Sequence, residues 1–308
     1  MLSFLPSWLK GIIAVTLLSL NTLLLVPALM VVSLFRFLLP ITSWQHDCTR
    51  FAIRIAELWM TLNSGWMRLT QKLDWHVEGV DQLDMQHWYL VTSNHQSWAD
   101  IFILQHLLNR KIPMMKFFLK QQLIWVPVIG LAWWALDFPF MKRYSKQYLE
   151  KHPDKRGTDL KSTRHACEKF KHAPVTIFNF LEGTRFTAEK HQNQNSPYRH
   201  LLKPRAGGLA FVLGAMDSKL NCLVDITIAY PDKHQPSTWD FLSGQVDHAI
   251  IQIAQREIPQ AFFNKNYAED DDFRFAFQKW ISNLWEEKDR RLEHLYQSCD
   301  GHRKTPRS

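Results

Sequence analysis

Apolar and polar positions along this chain fall into blocks of changing period. No charged residue occurs between Gly11 and Phe35, where Leu, Val, Ile and Ala dominate, and the apolar character continues past Arg36 to Leu39. A bilayer is spanned by about 20 such residues. A cleaved signal peptide has a shorter apolar stretch and a small-residue cleavage site. The length here, with no A-x-A site, favours a retained anchor. Pro27 sits mid-run and predicts a kink, so a straight span, a bent hairpin and an interfacial pair of helices all stay open. In residues 47–72, Phe51, Ile55, Leu58, Trp59, Leu62, Trp66 and Leu69 recur at spacings of three and four, the signature of an amphipathic helix.

Further on the blocks shorten and begin to alternate. Residues 78–81 read as a turn, 88–92 as a strand and 98–108 as a helix. Residues 123–140 form a second apolar block, broken by Pro127 and Gly130 and carrying Trp125, Trp133, Trp134 and one acid, Asp137. It is short for a span. Lying in a membrane interface suits it, and a buried core helix is the competing reading. Residues 142–157 are charged and loop-like, and 159–171 read as a helix capped by Asp159. Residues 175–180 are a β-branched and aromatic strand, 190–198 a polar, mobile loop, 207–216 a small-residue helix and 220–230 a strand. Residues 248–255 alternate as an edge strand does. Residues 270–296 form a long helix with Phe273, Phe277, Trp280, Ile281, Leu284, Leu292 and Leu295 on one face. Strands alternating with helices predict an α/β fold, a mixed sheet flanked by helices, behind an N-terminal hydrophobic helical membrane segment. The expected division is an anchoring segment 1–72, an α/β domain 73–300 and a disordered basic tail 301–308.

Composition narrows the setting. The net charge is +8 and there are 13 Trp among 308 residues. Surplus Trp suits headgroup depth, and basic surface attracts anionic lipid. Nucleic acid is the other partner such a charge suits, but there is no zinc-finger spacing, RNP-like run or base-reading basic helix. Arg36, Arg50 and Arg54 follow the first apolar run and only Lys10 precedes it, which places the main body in the cytoplasm by the positive-inside rule. Cys48, Cys167, Cys222 and Cys299 are far apart, against a zinc site or a disulfide framework.

Two clusters can carry chemistry. The first is Asn94-His95-Gln96-Ser97-Trp98-Ala99-Asp100, at a strand-to-helix corner. On one helix His95 and Asp100 would stand about 140° apart. With His95 on the loop and the helix starting near Ser97, Asp100 falls in the first turn and can accept from Nδ1–H, leaving Nε2 as a base. Asn94 can brace the turn. The plain alternative is a capping pattern, Ser97-x-x-Asp100. Spacing alone does not discriminate, because His76 and Asp81 share it. That second pair runs through Glu78-Gly79 with no helix after it. The other cluster is Phe180-Leu181-Glu182-Gly183-Thr184-Arg185, a strand running into an acid, a glycine, a hydroxyl and an arginine suited to an anion. A strand-ending turn with a solvated arginine is its plain reading.

Taken in order, these clusters resemble the glycerolipid acyltransferase family, that of lysophosphatidic acid acyltransferases, with its N-H-x-x-x-x-D and later F-P-E-G-T-R blocks. Lys116, Leu123, Pro127 and Gly130, leading to Phe140-Met141-Lys142-Arg143, are similar to a second block. Leu202-Lys203-Pro204-Arg205-Ala206-Gly207 and Val224-Asp225-Ile226-Thr227 are similar to a fourth. The resemblance covers about residues 88–231 and is nearest to a branch of bacterial inner-membrane acyltransferases. It implies a membrane-bound enzyme that passes a fatty acyl group from acyl-CoA or acyl-carrier protein to the hydroxyl of a lysophospholipid such as 1-acylglycerol-3-phosphate, another lysophospholipid or an amino-lipid being the alternative acceptor, with no further cofactor, metal or covalent enzyme intermediate. His95 would be the base and Asp100 its orienter. Arg143, Glu182, Gly183, Thr184 and Arg185 would bind the acceptor's phosphate, with Lys116 and Arg205 as further candidates. Leu181 and Asp225 stand where the family has proline, and Asp137 replaces a small residue; these departures bear on acceptor choice. A catalytically silent lipid-binding relative would have lost the His or the Asp, and both are present.

Overall fold

The computed structural model describes the chain except residues 1, 3, 142–150, 152–166, 169, 171–172, 217–218, 221, 234, 268 and 304–308; the side chains of 141 and 299–303 are also outside it. The expected loop at 142–157 and helix at 159–171 therefore lie almost wholly outside the described residues.

The first apolar run is one helix, α1 (Ser7–Leu38), continuous through Pro27. It is followed by α2 (Thr42–Thr70). Leu2 N–H donates to Leu69 O at 2.9 Å, so the two helices form a hairpin with both ends at the same place. The buried face of α2 matches the expected one only in part: Trp66 is buried and Ile55, Trp59 and Leu69 are half-buried. Cys48, Ala52, Ala56, Met60, Asn63 and Met67 are buried, whereas Phe51, Leu58 and Leu62 are exposed. Small side chains let α1 approach closely, and Asn21 Nδ2 donates across the seam to Asn63 Oδ1 at 2.9 Å.

Next come β1 (Asp74–Glu78), β2 (Tyr89–Ser93), α3 (Ala99–Leu108), β3 (Met115–Phe117) and β4 (Leu119–Lys120). The second apolar block becomes a 3-10 turn at Gln121–Trp125, then α4 (Ile129–Ala135) and β5 (Phe140–Met141). The chain continues through β6 (Thr176–Phe180), α5 (Ala188–Asn193), α6 (Gly207–Met216), β7 (Cys222–Ala229), α7 (Thr238–Leu242), β8 (His248–Glu257) and α8 (Asp271–Arg303). β1 was not anticipated. α5 replaces the expected mobile loop, and its start is set by Thr187, whose hydroxyl accepts from Lys190 N–H. α8 continues to Arg303, beyond the expected start of a disordered tail.

The main sheet has the order β1-β8-β7-β2-β6-β3. β7 and β8 are antiparallel and the other neighbours parallel, so the sheet is mixed, as expected. β8 pairs on both sides, with β1 and β7, and is not an edge strand. Its alternation reflects two unlike faces rather than an open edge. One face is covered by α6 and α8, with Leu209, Leu213, Phe277, Ile281 and Trp285 at its centre. The other is covered by α3, α7 and the inner end of the hairpin, with Ile103, Leu104, Phe241, Met67 and Ala14. A third apolar cluster joins α1, α2 and α4 through Val26, Leu29, Ala52, Ala56, Ala132 and Ala135.

Candidate active site

The sheet register brings the two clusters together. β2 and β6 run parallel with Ser93 opposite Phe180. His95 and Glu182 each lie two residues beyond that pair and so meet past the carboxyl ends of adjacent strands, where open α/β sheets place their ligands. His95 N–H donates to Glu182 Oε1 at 2.9 Å, and Phe186 N–H donates to His95 O at 2.7 Å. On the other side β7 pairs with β2, and Asn94 ties the loop to it: its Nδ2 donates to Ile228 O at 2.8 Å and its Oδ1 accepts from Ile228 N–H at 2.9 Å.

His95 sits on the loop and Asp100 in the first turn of α3. Nδ1–H of His95 donates to Asp100 Oδ2 at 2.8 Å. The same oxygen accepts from Gln96 N–H at 2.8 Å and Ser97 N–H at 3.0 Å. Asp100 is therefore both a brace for the loop and the orienter of the imidazole; the two readings of the motif coexist. Asp100 is fully buried, while the His95 side chain is 10% exposed. Among the described residues nothing hydrogen-bonds Nε2. The ring stacks on Phe180 with centroids 3.9 Å apart and meets the edge of Trp98 at 6.5 Å. These aromatic walls hold the imidazole in one plane.

The turn after β6 lies beside it. Gly183 has φ of +69°, which L side chains rarely adopt, and a Cβ there would come within 3.2 Å of Arg205 Cδ. Arg205 N–H donates to Leu181 O at 2.7 Å, so Arg205 is fastened to this turn. The Arg185 guanidinium lies over the Trp98 ring, 5.1 Å from its centroid, and is exposed. Thr184 Oγ1 accepts from Lys190 Nζ at 2.9 Å, and the same amine donates to Arg185 O at 3.0 Å. Gly183, Thr184, Arg185 and Arg205 thus gather near His95, joined by Lys190, which the polar run around it concealed.

Several expected roles need correction. Glu182 is fully buried and does not face a phosphate: Oε1 holds His95 N–H and Oε2 accepts from Leu202 N–H at 3.2 Å. Burial pushes its carboxyl up to about 8 against the pull of the two amides. Lys116 is buried on β3, donating to Leu136 O beneath the Phe138 ring, and burial lowers its amine to about 8. Asp225 is turned into the core. It is fully buried against Lys288 Nζ of α8 at 2.5 Å. Asp137 pairs with Arg36 of α1 at 2.5 Å and so clips the second apolar block to the hairpin. Arg143 lies outside the described residues. In the matched-spacing pair, exposed His76 meets Glu78 at 2.7 Å, and Asp81 lies 3.6 Å from Lys111.

Two buried tyrosines escaped the sequence reading. Tyr230 OH donates to Asp100 Oδ1 at 2.5 Å, and Tyr296 OH donates to Gln96 Oε1 at 3.2 Å. They stand 130 and 200 residues from these partners, and no local pattern could announce them.

Residues 74–229, just over half of the chain, match the sequence profile of the family described as Acyltransferase. The chain is 26% identical over 222 residues to 1-acyl-sn-glycerol-3-phosphate acyltransferase delta of Homo sapiens, covering 68% of this chain and 53% of that one. It is 26% identical over 260 residues to lysocardiolipin acyltransferase 1 of Gallus gallus, covering 79% and 63%. The chain thus spans about half to two thirds of the length of these relatives. The crystal structure of the 1-acyl-sn-glycerophosphate (LPA) acyltransferase PlsC from Thermotoga maritima shows a weak overall likeness. It has 17% identity and a TM-score of 0.49, covering 90% of this chain and 97% of that one.

Proposed function

This chain belongs to the acyltransferase family, and from that premise we propose that it passes a fatty acyl group from an acyl thioester to the free hydroxyl of a lysophospholipid at a membrane surface. The observation that carries the reading is a histidine whose Nδ1 is locked to a buried carboxylate and whose backbone is hydrogen-bonded to the turn that carries Arg185 and packs on Arg205. The hydroxyl gives its proton to Nε2 as its oxygen bonds to the thioester carbonyl carbon. The tetrahedral intermediate collapses, the carbon–sulfur bond breaks, and the leaving thiolate takes the proton from the imidazolium. Asp100 fixes the tautomer and balances the imidazolium charge. Arg185, Arg205, Thr184 and the Gly183 backbone hold the acceptor's phosphate.

The apolar exterior supports a lipid acceptor. Leu20, Leu23, Leu24, Val31, Leu34, Phe35, Phe37 and Leu38 are exposed along α1. Phe37 stacks on Trp134 at 5.8 Å, continuing that surface onto Trp125, Leu131 and Trp134. α1 is long and apolar enough to cross a membrane. α2 carries exposed Asp47, Arg50 and Arg54, and the far end of α1 packs on the second apolar block through Arg36–Asp137 and Phe37–Trp134, which favours a hairpin lying along the membrane face beside the catalytic body. An inner membrane with that body in the cytoplasm is the proposed setting. The simplest acceptor is 1-acylglycerol-3-phosphate, by similarity to acyltransferase delta. Similarity to a lysocardiolipin acyltransferase favours a second reading, a larger lysophospholipid. The test is thiol release by the full chain in lipid vesicles, with acyl-CoA or acyl-carrier protein as donor and each lysophospholipid in turn. Release that depends on one acceptor identifies it; no acceptor-dependent release with any pairing overturns the proposal.

A further inference from the structure

The two oxygens of Asp100 are held differently. Among the described residues Oδ2 receives three donors, whereas Oδ1 receives one, the hydroxyl of Tyr230 at 2.5 Å. Both side chains are fully buried, so no solvent stands ready to replace that donor. A carboxylate turns easily about its terminal torsion. Gripping Oδ1 fixes the plane that aims Oδ2 at His95 Nδ1. Burial beside Asp100 holds the Tyr230 phenol well above its ordinary ionisation range, so it remains a donor.

Tyr230 is itself secured. Its backbone is hydrogen-bonded to the Tyr296 hydroxyl, which also donates to Gln96 Oε1 beside the histidine. Tyr296 comes from the far part of α8. The same helix supports the other side of His95: Trp285 Nε1 donates to Leu202 O at 3.0 Å, and Leu202 N–H holds Glu182, which holds His95 N–H.

We propose that Tyr230 is a positioning residue for the His95–Asp100 pair, braced by Tyr296 of α8. The inference rests on reading His95 as the base. Tyr230 touches neither the imidazole nor the acceptor; it acts through Asp100.

The test uses the full chain in vesicles. Tyr230→Phe is expected to lower kcat about tenfold while KM for donor and acceptor stays within about twofold. In an Asp100→Asn background the same substitution should change the remaining rate by less than about twofold, because its target is already altered. Equal losses in both backgrounds, or a raised KM with kcat kept, would overturn the positioning role. A wild-type rate for Asp100→Asn overturns both the inference and the reading beneath it. If Tyr230→Phe does not fold, Tyr296→Phe should lower kcat about threefold at unchanged KM, and an unchanged kcat overturns the inference.

Discussion

At the scale of single residues, the site depends on buried polar groups that each hold something else in place. Glu182 is the clearest case. It ties His95 to Leu202 from full burial, and its carboxyl is pushed up to about 8 from the ordinary 4.5. A carboxyl raised on folding is protonated in the native state while the unfolded chain has already lost its proton. Stability therefore falls as pH rises from about 4.5 to about 8, and the full penalty remains above that. Melting temperature measured across this window should decline in the wild type and decline less in Glu182→Gln, which has no proton to lose; parallel profiles would refute this. The strand-to-helix corner, rather than the spacing that His76 shares, made the His95–Asp100 contact legible, and residue types made the Gly183 turn so. They misled at Glu182, because an acid beside Gly-Thr-Arg looks like part of an anion site until burial and two amide donors are known. Tyr230 was invisible because its partner is distant in sequence and meets it only through the sheet.

Among the elements, α8 does more than cover the sheet. Its face carries Phe277, Ile281 and Trp285, but also a buried ammonium, Lys288, paired with Asp225 on β7 and donating to Ile226 O at 2.5 Å. Arg291 stands 3.6 Å from the same carboxylate. Losing one partner strands a buried charge, at a cost of about 3–5 kcal/mol, while replacing both is much milder. Lys288→Met should lower stability by that order, and Asp225→Asn with Lys288→Met should recover most of it. Urea unfolding in mild detergent measures both; a single-variant cost below about 1 kcal/mol, or no recovery in the double, contradicts the assignment. The helix and its apolar face were readable from period alone. Lys288 was not, because a lysine on a long helix is ordinarily solvated. In α2 the period was right and the face only partly so: Trp66 is buried as expected, but Ala52 and Ala56 face the seam with α1 while Phe51, Leu58 and Leu62 point outward. β1 was missed because its pattern, half-exposed throughout, gains meaning only from β8 beside it.

For the molecule as a whole, the hairpin, the Trp125–Trp134 surface and the net charge of +8 are what the proposed function asks of a body that works at an anionic bilayer. Arg36–Asp137 joins hairpin and second apolar block, so the exposed apolar face is one piece rather than two. The ends of β2 and β6 carry His95 and the arginine turn, where, on the proposed function, an amphiphilic acceptor presents its headgroup while its chain stays in lipid. All of this turns on which histidine is the base, since His76 and His95 share a spacing to an aspartate and differ only in surroundings. The deciding measurement is thiol release by His95→Ala and His76→Ala at equal protein level in the same vesicles. His95→Ala is expected to lose activity by at least about a hundredfold and His76→Ala to stay within about twofold of wild type. A wild-type rate in His95→Ala, or loss in a folded His76→Ala, would contradict it.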